Sequence, residues 1–132
     1  MVHTLSLNTG SRIEFLDLTS RIQEVVGESG VREGLCQIFV PHTTAAVTIN
    51  ENADPSVKAD ILMVLNKLIS EKEPYRHSEG NSPAHIKASL LGPQLTVLVS
   101  EGRLLLGTWQ GIYFCEFDGP RRRKLHVKVV AD

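Results

Sequence analysis

The sequence predicts an α+β fold. It reads as one compact domain over residues 1–132, with a largely antiparallel, β-sandwich-like core, two main helices and a short helix. Three observations predict this. Strand-like alternation fills both ends of the chain, helical periodicity is confined to three stretches, and 132 residues with 42% hydrophobic content suit one core.

The elements follow in order. His3 to Leu7 alternates, and so does Arg12 to Leu18, with Ile13, Phe15 and Asp17 on one face. Asn8-Thr9-Gly10 between them is turn chemistry, so the two strands read as a hairpin. Ser20 opens a Ser-x-x-Gln capping-box pattern; Ile22, Val25 and Val26 follow at helical spacing, and Gly27 or Gly30 ends that helix. Residues 34–40 read as a buried strand stopped by Pro41, and Thr44 to Asn50 as another. Asp54-Pro55 is a cap with a first-turn proline. Val57, Ile61, Val64, Leu65 and Leu68 then mark one apolar stripe of a helix ending near Ser70. Residues 71–84 read as a polar loop of a length usual for functional segments. Ser82-Pro83 repeats the cap-and-proline pattern and opens a short helix closed by Gly92. Four strands complete the chain, at Gln94–Val99, Arg103–Leu106, Gly111–Phe117 and Arg122–Val130. In the last, Leu125, Val127 and Val129 alternate with Lys124, His126 and Lys128.

Composition excludes several functions. With 14 Lys and Arg against 15 Asp and Glu, no strong field draws the chain to nucleic acid or a membrane surface. No apolar run approaches the roughly 18 residues of a membrane helix. The opening residues carry no export signal, so a reduced cytoplasmic protein is expected. Cys36 and Cys115 lie in apolar runs and read as small buried hydrophobes, with a catalytic thiol as the other reading.

His42, His77 and His85 fall in loops or at an element start, among small polar residues. Three neutral imidazoles suit a zinc-like ion with an open coordination position; separate surface histidines are the alternative. His3 and His126 read as solvated strand residues. The segment Gly80 to His85 combines a glycine, Asn81, Ser82 and a helix start, which is either an anion cradle or an ordinary capped helix. Between a strand and a helix, Asn50 and Glu51 stand beside the Asp54 cap; Glu51 suits a general base or a partner to a histidine. Trp109 and Gln110, between two glycines, form a pocket wall or a packing bend. Arg121 to Lys124 is the one basic run, either a solvated strand start or a source of one Arg for a substrate phosphate.

These segments together resemble the YjbQ-like family, also described as secondary thiamine-phosphate synthase. The likeness is carried by His42-Thr43-Thr44-Ala45-Ala46, Asn50-Glu51-Asn52-Ala53-Asp54, Gly80-Asn81-Ser82-Pro83-Ala84-His85, Gly107-Thr108-Trp109-Gln110 and Asp118-Gly119-Pro120-Arg121, and it spans nearly the whole chain. The resemblance implies a homotrimer, with a metal or phosphate-like anion held near the histidines. The implied activity joins a pyrimidine pyrophosphate to a thiazole phosphate and releases pyrophosphate. His42, His77 and His85 are then the ligands of a divalent metal, zinc or magnesium, with Glu51 and His42 as catalytic residues. Asn50, Asn81, Ser82, Trp109, Gln110 and Arg121 contact a phosphorylated small-molecule substrate. Two other readings fit the same residues: a metal-dependent hydrolase, and a non-catalytic phospho-metabolite-binding protein.

Overall fold

A computed structural model covering residues 1–132 places the chain in eight strands and three helices. The order is β1 (His3–Asn8), β2 (Glu14–Asp17), α1 (Thr19–Ser29), β3 (Gly34–Phe39), β4 (Ala45–Glu51), α2 (Pro55–Leu68), α3 (Ser82–Leu91), β5 (Gln94–Ser100), β6 (Arg103–Leu104), β7 (Gln110–Glu116) and β8 (Arg122–Ala131). The α+β expectation is borne out. One sheet has five strands in the order β1-β8-β3-β5-β6, the other three in the order β2-β7-β4, and every pairing is antiparallel. No helix is long and apolar enough to cross a membrane.

Strand periodicity sets the layers, because successive side chains point to opposite faces. Cys36, Ile38, Val97, Val99, Leu125 and Val127 of the five-stranded sheet meet Ala45, Val47, Ile112 and Phe114 of the three-stranded sheet in one buried cluster. Ile22, Val25 and Val26 of α1 join that cluster. The alternate residues Ala46, Tyr113 and Cys115 face the other way, where Ala84 and Ala88 of α3 cover them and Ile61 and Leu65 of α2 pack at the margin. The domain is thus sheet on sheet, with α2 and α3 outside the smaller sheet.

The β1–β2 hairpin is a misreading. β1 pairs with β8 and β2 with β7, so the chain crosses from one sheet to the other at Asn8-Thr9-Gly10. Long-range bonds hold that crossing: the Thr9 amide donates to the Arg121 carbonyl at 2.9 Å, and the Thr9 hydroxyl to Glu116 at 2.8 Å. The capping box at Ser20 also fails. α1 begins at Thr19, and the Asp17 carboxylate accepts both the Thr19 amide at 2.9 Å and its hydroxyl at 2.6 Å. Gln23 instead accepts from the Leu104 amide and donates to the Gly102 carbonyl. Gly30 ends α1 in the left-handed conformation, with φ 73°. β6 is shorter than the strand expected over Arg103–Leu106.

At α2 the Asp54 carboxylate accepts the Ser56 amide at 2.9 Å, as the sequence predicts, with Pro55 in the first turn. The apolar stripe is present, yet no residue of α2 is buried, and Met63, Val64 and Leu68 are exposed. Both cysteines are buried and free. Burial pushes the Cys36 thiol up to about 11 and the Cys115 thiol well above its ordinary range, so neither is a thiolate at neutral pH.

Candidate functional site

The predicted site residues divide between the two ends of β4. Seven residues of strand span roughly 20 Å, so these are two places within one chain.

At the start of β4 stands His42. The pairing of β3 with β8 ends at Phe39 opposite His126, and Pro41 has no amide to continue it. The His42 ring replaces the missing rung: its Nε2 accepts the Lys124 backbone N–H at 3.0 Å. That bond assigns the neutral tautomer with hydrogen on Nδ1. Burial lowers the pKa of His42, and the nearby Arg123 charge lowers it further. His42 is therefore a neutral hydrogen-bond donor with no free lone pair. It shares a groove of about 290 Å³ with His85 and Ser89 of α3. His77 meets His85 edge to face, with ring centroids 5.2 Å apart.

The three predicted metal ligands are thus neighbours by pairs, His42 with His85 and His85 with His77. They do not form a three-ligand group: no set of three His, Cys, Asp or Glu in the chain is placed to hold a metal ion. The donor chemistry agrees, since ligation by His42 would cost it the Lys124 bond. One chain's histidines do not fit a three-imidazole ion.

Behind His42 lies a buried network that the sequence reading missed. Arg123 is 3% exposed and Glu116 is fully buried. The Arg123 guanidinium forms an ion pair with the Glu116 carboxylate through Nη2, and its Nε donates to the same carboxylate at 2.8 Å. Nη2 also donates to the Thr44 hydroxyl at 2.9 Å. Burial alone would raise the Glu116 carboxyl, but the Arg123 bond above all, with those from the Asp118 amide and the Thr9 hydroxyl, holds it below the usual range. The signal was present in the alternation. Arg123 shares parity with Leu125 and Val127, so it had to face the core and find a partner there.

The same network seats the Asp118-Gly119-Pro120 turn. Asp118 accepts from Asn81 Nδ2 at 2.9 Å, while Arg121 donates to the Asp118 carbonyl at 2.8 Å and to its carboxylate at 3.2 Å. Asn81, not Ser82, is the N-cap of α3, and its amide is turned to Asp118 rather than to the helix. The Ala84 and His85 amides already donate to the Asn81 carbonyl, and Pro83 has none. At the anion cradle expected at this helix start, two of the amides are therefore already occupied.

Asn50, Glu51, Trp109 and Gln110 gather at the far end of β4, where Glu51 pairs with Gln110 across to β7. Glu51 accepts the Asp54 amide at 3.2 Å, and Asn50 accepts the Glu51 amide at 2.7 Å. Gln110 accepts the Gly107 amide at 2.8 Å, and Trp109 is 63% exposed. Asn52 crosses Gly111 so closely that a Cβ there would sit 2.3 Å from its amide nitrogen, and it donates to Asp17 at 3.0 Å. The pairing of Glu51 with His42 as catalytic partners does not occur within one chain.

The fold and this arrangement define a class: a small two-sheet α+β protein whose polar segments sit at opposite ends of one strand. The chain belongs to the UPF0047 YjbQ-like family, whose model matches residues 3–132. It is 52% identical to a UPF0047 protein of Methanocaldococcus jannaschii over 100% of this chain and 96% of that one, and 49% identical to the UPF0047 protein YugU of Bacillus subtilis over 98% and 99%. The crystal structure of an uncharacterized YjbQ/UPF0047 family protein from Clostridium acetobutylicum matches with TM-score 0.95 at 52% identity, over 97% of this chain and 99% of that one. A YbjQ-like protein of unknown function from Sulfolobus solfataricus matches with TM-score 0.95 at 32% identity, over 100% and 97%. These findings correct one expectation. The relatives carry family names without an activity, and none supports thiamine-phosphate synthesis, so that assignment is withdrawn.

Proposed function

We propose that this chain assembles with copies of itself, as a trimer, and handles a phosphorylated small molecule in sites completed between neighbours. The separation of the predicted site residues carries this reading. One end of β4 offers His42, His85, Asn81 and Arg121, and the other offers Glu51, Asn50, Gln110 and an exposed Trp109. Neither end alone has the donors, the carboxylate and the ring that acting on a phosphorylated molecule would use. Placing one end of a copy against the opposite end of the next is a head-to-tail contact, and such contacts form a ring when the rotation between copies closes. The threefold count comes from the family resemblance. The uncovered face of α2, with Met63, Val64 and Leu68 exposed, supplies apolar surface for such a contact.

In this reading His42 holds substrate through Nδ1–H as a neutral donor, and Glu51 of a neighbour supplies the basic oxygen. Analytical ultracentrifugation tests the assembly: a species of three chain masses is expected, and a monomer at micromolar concentration would overturn the proposal. Cross-linking tests its polarity. Ser89→Cys combined with Gln110→Cys should give covalent oligomers on a non-reducing gel, whereas monomer alone would exclude the end-to-end contact.

A further inference from the structure

A second cavity, of about 280 Å³, also borders His42. It is lined by Ser6, His42, Arg122, Arg123 and Lys124, with no apolar residue and no carboxylate among them. Its size falls near the small end of ligand pockets, roughly 300–1,000 Å³. The charges are not equivalent. The Arg123 guanidinium is neutralised by Glu116, but Arg122 and Lys124 are in no ion pair of this chain, whose three ion pairs are Arg12–Glu71, Arg121–Asp118 and Arg123–Glu116. Both side chains are exposed and lie two residues apart on β8, which puts them on the same face of the strand. Ser6 stands directly opposite Lys124 on β1 and adds a hydroxyl.

We infer that this cavity is an oxyanion subsite, and that Arg122, Lys124 and Ser6 hold the phosphoryl group of the ligand while the rest of the molecule passes His42 into the His85 groove. The inference rests on the phosphorylated-ligand reading above and moves the phosphate away from the place the sequence suggested. At the start of α3 the amides of Ala84 and His85 are already bonded to the Asn81 carbonyl, and the nearest cavity sets the carboxylates of Glu71, Glu79 and Asp118 against Arg12 and Lys87. An oxyanion there would meet three carboxylates, an Arg12 already paired with Glu71 and a Lys87 ammonium already bonded to Asn66. In the β8 cavity it meets two unpaired cations, a hydroxyl and the His42 ring. Arginine grips such a group through paired N–H donors, and lysine through a compact charge. His42 links the two cavities because it lines both, which makes it the position past which a ligand with an anionic end and a polar body must thread.

The test is a titration of the full-length protein with inorganic phosphate, followed by ¹⁵N NMR against sodium chloride at matched ionic strength. Saturable shifts are expected at the amides of Ser6, Arg122 and Lys124. The double variant Arg122→Gln/Lys124→Gln should weaken phosphate by about tenfold or more, as loss of two charge-assisted contacts does, while Ser82→Ala changes nothing. Two results overturn the inference. Binding that survives the double variant and disappears in Ser82→Ala returns the phosphate to α3 and leaves the phosphorylated-ligand reading standing. Phosphate that moves no resonance beyond the chloride control removes both.

Discussion

The start of β4 is held from within and its far end from without. Around Thr44 and His42, a buried guanidinium–carboxylate pair gathers β1, β4, β7, β8 and the Asp118 turn into one set of hydrogen bonds. Around Glu51, the side chains of Glu51, Asn50 and Gln110 bond to main-chain amides close by in sequence, at the surface, and Asn52 alone reaches across to Asp17. The first kind of construction fixes side-chain positions through long-range contacts that form only with the whole fold. The second forms turns that would persist with little support, and it leaves Trp109 and the apolar face of α2 free to meet something else. A rigid half facing an adaptable one is the arrangement expected where a partner completes a site.

The largest break in this comparison comes at the ion pair. Arg123→Met leaves the Glu116 carboxylate buried and unpaired and should cost about 3–5 kcal/mol of unfolding free energy, measured by urea denaturation. Gln110→Ala, at the other end, should stay within about 0.5 kcal/mol, as exposed substitutions do. Equal losses from the two would abolish the distinction. Acid offers a second break. The folded state holds the Glu116 pKa below its ordinary 4.5, so its contribution is complete above that value and is lost as pH falls through the folded value. His42 acts in the same sense, because its folded pKa lies below the ordinary 6.5. Stability should therefore fall on acidification from neutrality, and Glu116→Gln should remove the Glu116 share of that fall in a pH series of melting temperatures. A smaller effect is expected at Asp17→Ala, which removes the side-chain acceptor at the start of α1 and should cost about 1 kcal/mol by the same denaturation. The smallest concerns α2. Leu68→Glu should leave the chain's own stability within about 0.5 kcal/mol while dissociating the assembly in ultracentrifugation. A large folding defect would mean that Leu68 packs within its own chain.

What could be read in the sequence follows the range of the interactions. The Asp54 cap, the Pro55 start and the Gly30 stop are local, and all three stand where their neighbours in sequence place them. The hairpin at Asn8-Thr9-Gly10 failed because its turn residues are indifferent to which strands they join. Thr9 answers to Glu116 and Arg121, more than a hundred positions away. The site divided in the same manner. His42, His85, Asn81 and Arg121 were recognisable by type and do share one end of the molecule, but no spacing disclosed that Glu51 and Gln110 lie at the other. Arg123 was legible in principle, since a charge in phase with Leu125 and Val127 must be buried. Reading Arg121 to Lys124 as one solvated run concealed it.

The bond between the Lys124 amide and the His42 ring has a consequence for observation. A main-chain hydrogen that would ordinarily be held by a neighbouring strand is here held by a group that can take up a proton, at a pH below the ordinary 6.5 of histidine. Once the ring is cationic it can no longer accept, and this one amide loses its protection while the rungs beyond it keep theirs. The exchange rate of a single backbone hydrogen thus reports the ionisation of the imidazole directly, in the unlabelled native protein.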